Sequence, residues 1–157
     1  MILFTFKIGK MPDKTTIDKA LEDKKEGKSA STQAGEFVHD EIEKIRKGEH
    51  GARSAKQAIA IGLSEARRAG VKLAPPKKGT VSEKTRINAT RESKKGERHE
   101  PISRTRSRAS IKALKKEPTT SVSKTALSRQ TKSAAQKRTP ASRSASARKA
   151  ARTKRAQ

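Results

Sequence analysis

The residues whose types and spacing can do chemistry in this chain are its cations. Lysine and arginine number 40 against 16 aspartate and glutamate in 157 residues, a formal charge of +24. They recur as adjacent pairs: Lys115-Lys116, Lys137-Arg138, Arg148-Lys149 and Lys154-Arg155. A cation that meets a phosphate releases condensed counterion, so binding through such pairs is largely sequence-blind and steep in salt. Spacers of Ser, Ala and Thr let the pairs follow a backbone. Tryptophan and tyrosine are absent, and Phe4, Phe6 and Phe37 all lie outside the basic region. Base stacking on aromatics, common in single-strand binders, is therefore missing, which favours a duplex. We take as phosphate contacts Arg67, Arg68, Lys77, Lys78, Arg104, Arg106, Arg108, Lys115, Lys116, Arg129, Lys137, Arg138, Arg143, Arg148, Lys149, Arg152, Lys154 and Arg155.

Other chemistries find little footing. His39, His50 and His99 lie far apart with no carboxylate repeating at a ligand spacing around them, and there is no cysteine. Metal ligation is not expected, and neither is a disulfide framework. No G-x-S-x-G nucleophile pattern occurs, and Gly48, Gly51, Gly62 and Gly70 form no phosphate-cradling loop. Glu36, Asp40, Glu41 and Glu43 cluster within one segment, where helix-surface charge or pairing with the basic tail explains them without catalysis. We expect no enzyme, no cofactor and no small-molecule substrate.

The elements that position the cations divide the chain unevenly. Residues 1–76 carry 15 basic and 11 acidic side chains, whereas residues 77–157 carry 25 and 5. From Pro118 onward there are 11 basic residues and no acidic one. This is the asymmetry of a small domain with a nucleic-acid-binding tail. Pro75-Pro76-Lys77-Lys78-Gly79 marks the join. Composition changes abruptly at Met11, so Met11 is expected as the start, with residues 1–10 an extension or a loose strand-like arm ahead of the module. The organisation expected is thus an extension at 1–10, a helical module at 11–76 and a basic low-complexity tail at 77–157.

Ser54–Leu73 is the best-specified stretch. Ser54 and Gln57 fit a capping box, and Ile59, Gly62, Leu63 and Ala66 fall on one helical face. Arg67 and Arg68 sit in the last turn, and Gly70 stops the helix. Upstream, Thr16–Glu26 reads as a short helix ended by Gly27. Gln33–Lys47 reads as another, capped by Ser31 or Thr32 and ended by Gly48. The last two helices should form an antiparallel hairpin closed by Phe37, Ile42, Ile45, Ile59, Leu63 and Leu73. The six-residue connection Gly48–Arg53 is longer than the usual helix-turn-helix turn, which disfavours that motif.

In the tail, Ser82–Lys95, Thr105–Lys116, Ser123–Arg138 and Ser144–Arg155 can turn helical, but their apolar content is thin. Hydrophobic residues are 30% of the whole chain and charged residues 36%, too little apolar surface to offset ordering it all. The fold class expected is mainly α: a small helical hairpin or three-helix module, then a long basic tail, largely disordered or conditionally helical. A core of that size is marginal alone, so a homodimer fits. No apolar run is long enough to span a bilayer.

Ser31–Arg86 resembles a small bacterial family of unknown function whose signature, K-Q-A-I-A-I-G-L-S-x-A-R-R-A-G, stands here at Lys56–Gly70. Some members carry a DNA-binding or histone-like label, and no active site is assigned to the signature. Ser142–Arg155 is similar in composition to the tails of linker histones and to bacterial histone-like proteins. The resemblance implies a nucleoid-associated cytoplasmic protein. The function expected is non-specific duplex DNA binding by phosphate neutralisation. RNA or ribosome association, and a protein-interaction module with an adhesive basic tail, are the alternatives.

Overall fold

Serine caps and glycine stops set the limits of the front helices. The computed structural model describes residues 12–155, so the extension at 1–10 and the start at Met11 lie outside the described residues. Helix α1 spans Lys14–Lys25, α2 Ala30–Arg46 and α3 Ala55–Arg68. Ser54 caps α3 by accepting from the Gln57 backbone N–H at 3.2 Å, and the Gln57 side chain accepts from the Arg53 N–H at 2.7 Å. The reciprocal half of the expected capping box thus falls one residue earlier than the motif prescribes. At the other end Gly70 has φ +89°, its N–H bonds to Arg67 O and that of Val71 to Ala66 O, both at 3.0 Å. This Schellman closure satisfies two carbonyls that the helix cannot. Gly48, at φ +76°, closes α2 in the same way. Helix α2 starts earlier than expected because its cap is Ser29, which accepts from the Thr32 N–H; Ser31 and Thr32 are already in the first turn.

The front helices pack around small residues. A Cβ on Gly62 would lie 2.7 Å from Val38 Cα, so the α2 and α3 backbones almost touch. Ala58, Gly62 and Ala66 are buried on that line. Phe37 approaches Gly62 while Ile45 shares a cluster with Ala58, so the two helices run antiparallel. One cluster joins Ala20, Ala34, Phe37, Ala66 and Val71, with Ile17, Leu63 and Leu73 against it. A second joins Ile45, Ala52, Ala58 and Val122, with Ile42 against it. Ile59, expected in the core, is only half-buried and belongs to neither cluster. The reason is steric: close backbone approach selects Ala58 and Gly62 and turns the larger side chain aside.

The basic half is helical in this structure, which corrects the expectation of a largely disordered tail. Helices α4 (Glu83–Glu97), α5 (Arg104–Leu114), α6 (Lys124–Gln136) and α7 (Pro140–Arg155) follow, with a 3-10 turn at Thr120–Val122. Each overlaps one of the four segments read as able to turn helical. Two contacts supply what the composition did not advertise. A Cβ on Gly96 would sit 2.0 Å from Arg67 O, so α4 lies directly on the end of α3, with Ala89 buried beside it. Val122, 1% exposed, fills the second cluster from the far side of the chain. The Gly51 N–H bonds to Leu114 O at 2.9 Å and the Ala52 N–H to Pro118 O at 3.1 Å, stitching the two halves together. Contacts therefore cross the Pro75–Gly79 join. Beyond Gln136 the support ends: every described side chain of α7 is exposed.

Candidate nucleic-acid interface

Helix α5 builds a cationic stripe. Ser103 caps it, accepting from the Arg106 N–H at 3.5 Å. Ser107 is buried and Ile111 and Leu114 are half-buried on its inner side. Arg104, Arg108, Lys112 and Lys115, spaced by four, four and three residues, share an adjoining face and are all exposed. At 1.5 Å per residue the stripe runs about 16 Å, a length over which a duplex presents several phosphates. Arg106 and Lys116 are exposed as well, off this line.

Helix α7 carries a second stripe. Arg148, Arg152 and Arg155 recur at i, i+4 and i+7, Arg143 and Lys154 lie on another line, and Lys149 sits between; all are exposed. Arg138 donates to Ser142 O at 3.0 Å and Ser142 Oγ at 3.1 Å, and also to Ser146 Oγ. It thereby ties the link that follows α6 to the first turns of α7. Arg129 and Lys137 are exposed on and just after α6. Lys77 and Lys78 are exposed in a turn closed by Thr80, whose N–H and hydroxyl both bond to Lys77 O.

Two of the expected contacts are engaged elsewhere. Arg67 is 7% exposed, and its guanidinium donates to Leu63 O at 3.5 Å and Ala74 O at 3.4 Å. It ties the end of α3 to the chain that leaves it, and burial pushes its pKa below the ordinary arginine range. Arg68 pairs with Glu92 at 2.9 Å, which fastens α3 to α4. In the other direction, Lys112, Lys124 and Lys132 are exposed cations that the sequence reading passed over. Lys112 continues the Arg104–Arg108 spacing, and the other two stand in the stretch free of carboxylates, so the signal was present.

Two further titratable groups, Lys44 and His50, are buried within the front module. The buried Lys44 bridges Asp40 at 2.6 Å and Asp13 at 3.6 Å. Desolvation lowers its pKa, but the bond to Asp40 and the surrounding carboxylates outweigh this and leave it raised. The buried His50 lies 3.6 Å from Glu41, with Nδ1 3.1 Å from Gly51 O, at the bend between α2 and α3. His39 and His99 are exposed elsewhere. No group of three or more metal-ligating side chains occurs among the described residues. No helix among them is long and apolar enough to cross a membrane.

Residues 7–78 match the model of a family of unknown function, DUF6496. The match takes in α1 to α3 and the turn at Lys77-Lys78, while α4 to α7 lie beyond it. No curated protein matches the chain. No solved structure matches it either.

Proposed function

We propose that this is a non-enzymatic, histone-like protein that binds duplex DNA without sequence preference, through phosphate neutralisation. The observation that carries the reading is the exposed cationic surface of α5 to α7. Two stripes of arginine and lysine lie there, and the sequence after Pro118 holds 11 basic residues and no aspartate or glutamate. The resemblance of Lys56–Gly70 to the signature of proteins sometimes labelled DNA-binding points the same way. A nucleoid location follows from the reading, and a homodimer through the small front module is compatible with it.

Helix α7 buries none of its described side chains, and a helix polar all round gains little from its own packing. Neutralisation of its arginines by phosphate supplies the missing stabilisation. The test is a gel shift across salt with duplex DNA, structured RNA and heparin as competitors. If ~6–10 phosphates are contacted, affinity for duplex falls by about 10³–10⁵ between 50 and 200 mM salt. A weak, salt-independent shift refutes the reading, and clear preference for structured RNA replaces the duplex with RNA.

A further inference from the structure

The start of α3 and the segment that opens α6 face each other across an open groove of about 600 Å³. Arg53 and Arg129 line it, with Ser54, Ser121, Gln130 and Ser133 among the polar side chains between them. No carboxylate lines this groove, whereas the cavities beside α1 and α5 carry Glu97 and Glu100. The Arg53 side chain is 80% exposed, and its contact with Glu117 is a loose 3.7 Å made through Nε. Arg129 is exposed and has no carboxylate partner among the described residues.

We infer that this groove is a seat for the phosphate backbone of duplex DNA on the folded part of the protein. The inference rests on the duplex-binding reading above and adds a place to it. Guanidinium groups suit phosphate because their donors form a planar fork. The hydroxyl and amide groups between them can donate to further backbone oxygens, as such side chains commonly do at DNA. Val122, seated among Ile45, Ala52 and Ala58, holds the α6 wall of the groove in place. The duplex is then gripped by the helical module and the tail together, rather than by the tail alone.

The experiment measures affinity of the full chain for a short duplex against salt, with circular dichroism confirming the fold of each variant. R53Q/R129Q should lower the slope of log K against log salt by about 2, since each lost B-DNA phosphate contact removes about 0.9. K14Q/K19Q, which removes the same charge from exposed positions on α1, should leave the slope nearly unchanged. Equal slopes for the two double variants overturn the phosphate seat while leaving duplex binding intact. Failure of the wild-type chain to shift duplex at all overturns the broader reading, and the seat with it.

Discussion

Arg68 donates to the Glu92 carboxylate across 2.9 Å, and the two side chains are 21% and 20% exposed. The pair joins the last turn of α3 to the middle of α4, across the join where the charge balance of the chain changes. Lys95 approaches the same carboxylate at 3.6 Å. Glu92→Gln removes the charge that both cations face and should cost about 1 kcal/mol of stability. Urea unfolding followed by far-ultraviolet circular dichroism measures this, since the chain has no tryptophan or tyrosine. DNA affinity should not fall, because Arg68 is released rather than lost.

Gly62 is where the α2 and α3 backbones come closest. Gly62→Ala would place a methyl group 2.7 Å from Val38 Cα, with backbone rather than a flexible side chain opposite it. Although alanine favours helix, the clash should dominate and destabilise the protein by about 1–3 kcal/mol. An unchanged or higher urea midpoint would refute this packing.

Val122 fills the second cluster at 1% exposure. Val122→Ala should cost about 2 kcal/mol through lost burial and the cavity left behind. The loss should also expose amides of α6 and of the Gly51–Ala52 segment to hydrogen exchange together, because the same docking protects both. Faster exchange in α6 alone would mean that the two segments open independently.

Arg67 and the arginines of α7 should separate cleanly in their effects. Arg67→Gln breaks the bonds to Leu63 O and Ala74 O and should lower stability, with little change in the salt slope. R148Q/R152Q/R155Q removes a stripe that touches no core and should leave the front helices intact. It should reduce the slope by about 2.7 if all three meet phosphate. The opposite pattern would reverse their roles.

Lys44 gives stability a dependence on alkaline pH. Its pKa is raised in the fold, with the bond to Asp40 overcoming desolvation. A raised folded pKa makes its contribution complete below the unfolded lysine value of about 10.4, and the contribution is lost as pH rises through the folded value. The urea midpoint should therefore drop on moving from neutral pH to above about 11 more in the wild type than in Lys44→Met. Parallel drops would exclude the pair as the cause.

Much of the local structure is written in single residues. Ser54, Gly48 and Gly70 mark ends that the structure reproduces, and the four weak helical segments of the basic half are present as α4 to α7. What composition concealed is how that half attaches. Besides the Arg68–Glu92 pair, it is anchored by one valine, Val122, a glycine, Gly96, pressed against a backbone carbonyl, and two main-chain hydrogen bonds at Gly51 and Ala52. None of these stands out in a hydropathy pattern. Ile59 misled for the related reason that a hydrophobic face drawn from large residues misses an interface chosen for small ones. The charged surface is legible as charge, but Arg67 shows its limit. The last-turn position of Arg67 is plain in sequence, while its burial depends on the chain returning past Ala74.

The stitching of Gly51 and Ala52 to Leu114 and Pro118 also bears on how the protein is made. Val122 emerges from the ribosome 64 residues after Ala58, the neighbour whose cluster it completes. At ordinary elongation rates of about 5–20 residues per second, that cluster waits about 3–13 s with one wall missing. Until Val122 docks, Ile45, Ala52 and Ala58 lack that cover, so the finished fold closes only late in synthesis.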